Sequence, residues 1–97
     1  MNSELEDALE KGAERIKKAF IQSGVATLER EKAESRVFAR LKIEHPEASA
    51  TELKYMLLGD AERCIAVREE ISFLAELKAA EETHMSNKKL ATLRGSF

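Results

Sequence analysis

Glu81 and His84, in the run Glu81-Glu82-Thr83-His84, have the residue types and spacing best suited to chemistry. Glu-x-x-His sets a carboxylate and an imidazole on one face of a helix, as in di-iron and di-manganese bundles. Such sites need two of these motifs and two further glutamates on facing helices. This chain has one motif, so a dimer would have to supply the other. The expectation is therefore surface charge and a solvated His84. His45 precedes Pro46 at a helix end and is expected to meet backbone or water. The two histidines are far apart in sequence, so the zinc-helix spacing of four residues does not occur.

Nucleophilic and phosphate chemistry are no better served. Cys64 is the single cysteine, which excludes an intramolecular disulfide and a cysteine-rich zinc site. It falls within an apolar series, where a thiol acts as a small buried hydrophobe. There is no Gly-rich phosphate loop, nucleophile elbow or acidic metal-binding loop. Glu69 and Glu70 are adjacent and diverge on a helix. The expectation is a protein that is not an enzyme and holds no cofactor or metal.

Basic rows are the remaining candidates. Lys11, Arg15 and Lys18 share one helical face, as do Lys32, Arg36 and Arg40, and the tail adds Lys88, Lys89 and Arg94. Such rows track phosphates, giving affinity without base readout. The competing expectation is internal pairing with Glu62, Glu69 and Glu76, which recur every seven residues. Flanking charges of that kind orient coiled coils. The net charge of −2 brings no global pull towards nucleic acid or anionic lipid.

The elements that carry these residues are helices. The chain has 97 residues, 35% of them charged, with five aromatics, one proline and no tryptophan. Ala, Leu, Glu, Lys and Arg dominate, a composition of long helices and coiled coils. No window alternates in the manner of a strand, so the fold class is all-α. Ser3 N-caps a first helix over 3–22, whose apolar face is Leu5, Leu9, Ala13, Ile16 and Phe20. Gln22-Ser23-Gly24 interrupts this pattern: either the helix breaks at Gly24 or it runs on and its buried face changes partner there, and a long helix kinked or briefly broken near Gly24 is the expectation.

A second helix over 26–44 carries Ala33, Val37, Phe38 and Leu41, and His45-Pro46 stops it. Ser49-Ala50-Thr51-Glu52 is a capping box that starts a helix at about residue 50. Leu53, Leu57, Asp60, Cys64, Val67, Ile71 and Leu74 then follow in heptad steps. Gly59-Asp60 could be a short break, with Gly59 ending one helix and Asp60 capping the next, but the continuity of the heptad argues for one helix over 50–85 or a shallow bend. A second strip, Leu58, Ile65, Phe73, Leu77, Ala80 and His84, implies a further packing partner. Residues 86–97 read as a basic tail in which Leu90, Leu93 and Phe97 form either a last amphipathic turn or a mobile end.

The expected architecture is a single domain: a long antiparallel, coiled-coil-like hairpin of 26–44 against 50–85, with the N-terminal helix packed on it or on another subunit. So short a chain buries only about two-thirds of its unfolded surface, so the seam Leu53, Leu57, Cys64, Val67, Ile71 and Leu74 is expected to be shared in a homo-oligomer. The functional expectation is binding to self and to another protein, with nucleic acid as the alternative partner. Met1 leads into an acidic stretch unlike a signal peptide, and no apolar run reaches the roughly 18–20 residues of a membrane span. A cytoplasmic location is expected.

The run His45-Pro46-Glu47-Ala48-Ser49-Ala50-Thr51-Glu52-Leu53-Lys54, with the Lys/Ser/Leu/Arg-rich end from Ser86 to Arg94, resembles small helical-hairpin proteins of bacteriophage early and DNA-metabolism modules. The resemblance covers about residues 28–94. It implies an accessory role in replication or recombination and assigns no site residues. The N-terminal helix lies outside it.

Overall fold

The structure, a computed structural model, describes residues 3–95 and is all-α, with no strand among those residues. It comprises α1 (Ser3–Glu44), α2 (Ala50–Gly59) and α3 (Ala61–Gly95), arranged as a helical hairpin. Contacts divide the chain into two units. One joins α1 up to Ser23 with α3 from Phe73 onward, and the other is Gly24–Ser72. Phe97, expected to end an amphipathic turn, lies outside the described residues.

α1 passes through Gly24 without a break, where an interruption was expected. A mid-helix glycine costs only about 1 kcal/mol, which a helix of this length absorbs. The Ser23 hydroxyl turns back to donate to the Phe20 carbonyl at 2.9 Å, and the residue is buried. The face that α1 turns inward also differs from the expectation. In the first unit the inward row is Leu5, Leu9, Gly12, Ile16, Ala19 and Ser23, while Ala13 and Phe20 are exposed. Counting large apolar residues points to Phe20. The fully buried members of the covered row, Ala19 and Ser23, are small, which lets two helices approach closely.

In the second unit α1 continues inward with Ala26, Ala33, Val37 and Leu41. Val37, Leu41 and Leu53 form the buried cluster, with Phe38, Ala48, Met56 and Leu57 packed against it. Lys42 Nζ lies 5.1 Å from the centre of the Phe38 ring, within cation–π range. α1 ends at Glu44, before Pro46, and the turn is closed by the Ala48 amide donating to the His45 carbonyl at 3.1 Å.

Ser49 caps α2 from an extended conformation, its Oγ accepting from the Glu52 amide at 3.1 Å. The return arm differs from the expected capping box. Ser49 Oγ donates to Glu52 Oε1 at 3.2 Å, so the carboxylate meets the hydroxyl in place of the Ser49 amide.

Asp60 separates α2 from α3, so the expected single helix over 50–85 is two. Its backbone is extended (φ −71°, ψ 133°), and its Oδ1 accepts from the Glu62 amide at 2.9 Å and the Arg63 amide at 3.4 Å. An aspartate N-cap supplies donors' partners that a continuous helix would not need. Beyond it α3 runs to Gly95, so most of the expected tail is helical.

Candidate functional site

The break at Asp60 changes which side of the chain faces inward. Before it, Leu53 is buried and Leu57 joins the core cluster. After it, the half-buried or buried positions of α3 include Arg63, Ala66 and Glu70 in one unit and Phe73, Leu77, Ala80 and His84 in the other. From residue 70 onward that row sits one residue earlier than the heptad series read from the sequence. Cys64 and Val67 are only half-buried, and Ile71 and Leu74 are 59% and 46% exposed. The expected seam is thus not continuous. Its first two members belong to the chain's own core, and Ile71 and Leu74 stand open to a partner. Of the second strip, Phe73, Leu77, Ala80 and His84 turn inward, while Leu58 and Ile65 are exposed.

Cys64 Sγ lies 3.7 Å from the Leu58 carbonyl, the contact of a thiol set beside the end of α2. Glu81 is exposed, whereas His84 is half-buried with Nδ1 enclosed and without a hydrogen-bond partner among the described residues. The approach of Gly12 encloses it. The imidazole of His84 occupies the space that a side chain at residue 12 would fill. His84 is therefore packed between helices and not solvated as expected. Among the described residues no three His, Cys, Asp or Glu side chains gather to hold a metal ion.

Several members of the basic rows are already engaged. Arg15 meets Glu76 through two bonds, Nε at 2.7 Å and Nη2 at 3.1 Å. That fork raises the arginine pKa and lowers the glutamate's. Arg36 holds Glu62 at 3.1 Å, Arg40 binds Asp60 and lies 3.7 Å from Glu44, and Lys32 lies 3.7 Å from Glu29. Glu62 and Glu76 are the predicted acidic partners; Glu69 makes no ion pair among the described residues. Lys11, Lys18, Lys88, Lys89 and Arg94 are exposed and form no ion pair among the described residues.

The sequence reading missed the ion-pair group nearest the centre of the second unit. Arg30 Nε meets both Glu70 oxygens at 2.9 Å, and its Nη1 binds Glu34. Glu34 also accepts from Arg63 Nε at 2.8 Å. All four side chains are at most about a quarter exposed. The Arg63 bond, aided by Arg30, holds Glu34 below the usual carboxylate range, and Arg30 does the same to Glu70 against a partial burial cost. Arg30 and Glu70 occupy inward positions, so they fix which residues of α1 and α3 sit opposite each other. The available signal was an arginine continuing the 3–4 spacing of Ala26 and Ala33.

The arrangement provides helical faces for contact and contains no assembled set of reacting groups among the described residues. No described helix is long and apolar enough to cross a membrane. No protein family, curated protein or solved structure matches the chain.

Proposed function

We propose that this chain is a non-enzymatic helical protein that forms homo-oligomers and binds another protein through helix packing. One observation carries the reading. The buried apolar residues are Ala19, Ala26, Ala33, Ala80, Val37, Leu41 and Leu53, whereas thirteen large apolar side chains are exposed, Ile71 and Leu74 among them. Four of those seven buried residues are alanines. Single exposed apolar residues are ordinary, but rows of them at helical spacing are the surface of a helix awaiting a neighbour. Fully covering one such side chain contributes about 1.5–3 kcal/mol.

Sedimentation at micromolar concentration tests the reading. A self-associated species is expected, and Leu74→Asp, at an exposed position, should weaken it while leaving helicity intact. A monomer at every concentration would refute it. Recruitment of a second protein is tested by adding the assembled chain to candidate helical partners and measuring heat of binding. The other reading is an accessory protein of phage replication or recombination that touches nucleic acid. It draws on Lys11, Lys18, Lys88, Lys89 and Arg94, which are exposed and form no ion pair among the described residues.

A further inference from the structure

We propose that one face of the first unit, carrying Phe20 on α1 and Leu74 and Met85 on α3, docks antiparallel on the same face of a second copy. This rests on the homo-oligomer reading and names the surface that serves it. All its residues lie in α1 up to Ser23 and in α3 from Phe73 onward. On α1, Gly12, Ala19 and Ser23 turn inward, with Arg15 to one side of that row and Ala13 and Phe20 to the other. On α3, Ala80 and His84 turn inward, with Glu76 to one side and Leu74 and Met85 to the other. Arg15 binds Glu76, so those two sides coincide, and Phe20, Leu74 and Met85 share the opposite one. They are 67%, 46% and 60% exposed. With Gly12 beside His84 and Arg15 beside Glu76, Phe20 comes level with Leu74.

The α3 part of this face points to its occupant. Leu74, Lys78, Glu81 and Met85 follow in steps of four, three and four, a single stripe that spans only about 60° of the helix. All four are exposed, and neither Lys78 nor Glu81 forms an ion pair among the described residues. That spacing reads the same in both directions, so an antiparallel copy centred between Ala79 and Ala80 falls into register with it. Leu74 then meets the partner's Met85, and Lys78 meets the partner's Glu81. The two-fold axis repeats both contacts. A parallel copy would set lysine on lysine and glutamate on glutamate. Sliding the antiparallel copy by a heptad sets Lys78 against Lys88 one way and Leu74 against Lys78 the other. Opposite charges between apolar ends select orientation and register in paired helices. A stripe that complements itself in one orientation and one register fits a second copy of this chain.

Charge reversal tests the proposal. Lys78→Glu and Glu81→Lys each turn two attractions into two repulsions, and either should weaken association about tenfold by sedimentation at low salt. Both changes in one chain should recover the wild-type affinity to within about threefold, because the antiparallel pair is restored with its signs exchanged. An equimolar mixture of the two single variants should recover it as well, since mixing repairs contacts between copies and not those within a helix. Phe20→Ser leaves the stripe intact and should also weaken association about tenfold. Circular dichroism should show equal helicity in every variant. Association that ignores the single changes or Phe20→Ser, or is recovered by neither combination, would overturn this face while leaving the homo-oligomer reading intact. Recovery by the mixture alone would make the copies parallel and overturn the register. A wild-type chain that stays monomeric would overturn both readings and leave the face to a different protein.

Discussion

Gly12→Ala adds a methyl group where α1 and α3 leave no room for one. A Cβ there would lie 2.5 Å from His84 Nδ1 and 3.3 Å from its Cγ. Either the ring must swing away or the two helices must separate, and overpacking of this kind costs about 1–3 kcal/mol. Against it stands the better helix propensity of alanine, about 1 kcal/mol. The net effect is expected to lie between neutral and about 2 kcal/mol destabilising. Because Nδ1 is enclosed without a partner among the described residues, a ring that swings out gains water, which moves the result towards the lower end. In a His84→Ala background the obstacle is gone, and the same substitution should stabilise by about 1 kcal/mol. The coupling between the two positions is therefore about 1–3 kcal/mol. Thermal melts followed by circular dichroism resolve this, since 1 kcal/mol shifts Tm by about 4–8 °C in a chain of this size. Protein concentration must be held constant, because association makes Tm depend on it. An equal gain in both backgrounds would show that residues 12 and 84 do not meet, and the antiparallel register of this unit would be wrong.

Ser49→Ala removes the acceptor for the Glu52 amide and should cost about 0.5–2 kcal/mol by chemical denaturation. Thr51→Ala should be near neutral; if it were the more damaging, α2 would start elsewhere. Glu70→Gln should cost about 1–3 kcal/mol at neutral pH by loss of charged hydrogen bonds to Arg30. Glu70 is lowered in the folded state, so its contribution is complete above the ordinary carboxylate value of 4.5 and is lost as pH falls through the lowered one. Melting temperatures of the wild type and Glu70→Gln should differ at pH 7 and converge in acid; a gap that persists there would mean the Arg30 pair is not its source. Fluorescence anisotropy should show no oligonucleotide binding at physiological salt, since Arg15, Lys32, Arg36 and Arg40 have carboxylate neighbours. Binding that survives such salt would favour the accessory reading instead.

The local grammar of the chain was legible in its residues. Helix composition, the stop at Pro46 and the cap at Ser49 each depend on groups a few residues apart, so the all-α hairpin and the start of α2 follow from sequence alone. Ala33, Val37 and Leu41 were equally readable, because their spacing needs no knowledge of what covers them. Which face of each helix turns inward was decided elsewhere. Asp60 has the same neighbours whether a heptad passes through it or a cap interrupts it. The packing of α3 against α1, with Arg40 on the Asp60 carboxylate, goes with the cap, and from residue 70 the inward row lies one residue earlier. Gly12 looks like a helix weakness until His84 from the far end of the chain lies against it. Arg30 and Glu70 likewise look like surface charges until a tertiary contact brings them to 2.9 Å. Periodicity shows that a helix has faces, but burial depends on what the rest of the chain brings to each face, and those partners lie up to 72 residues apart.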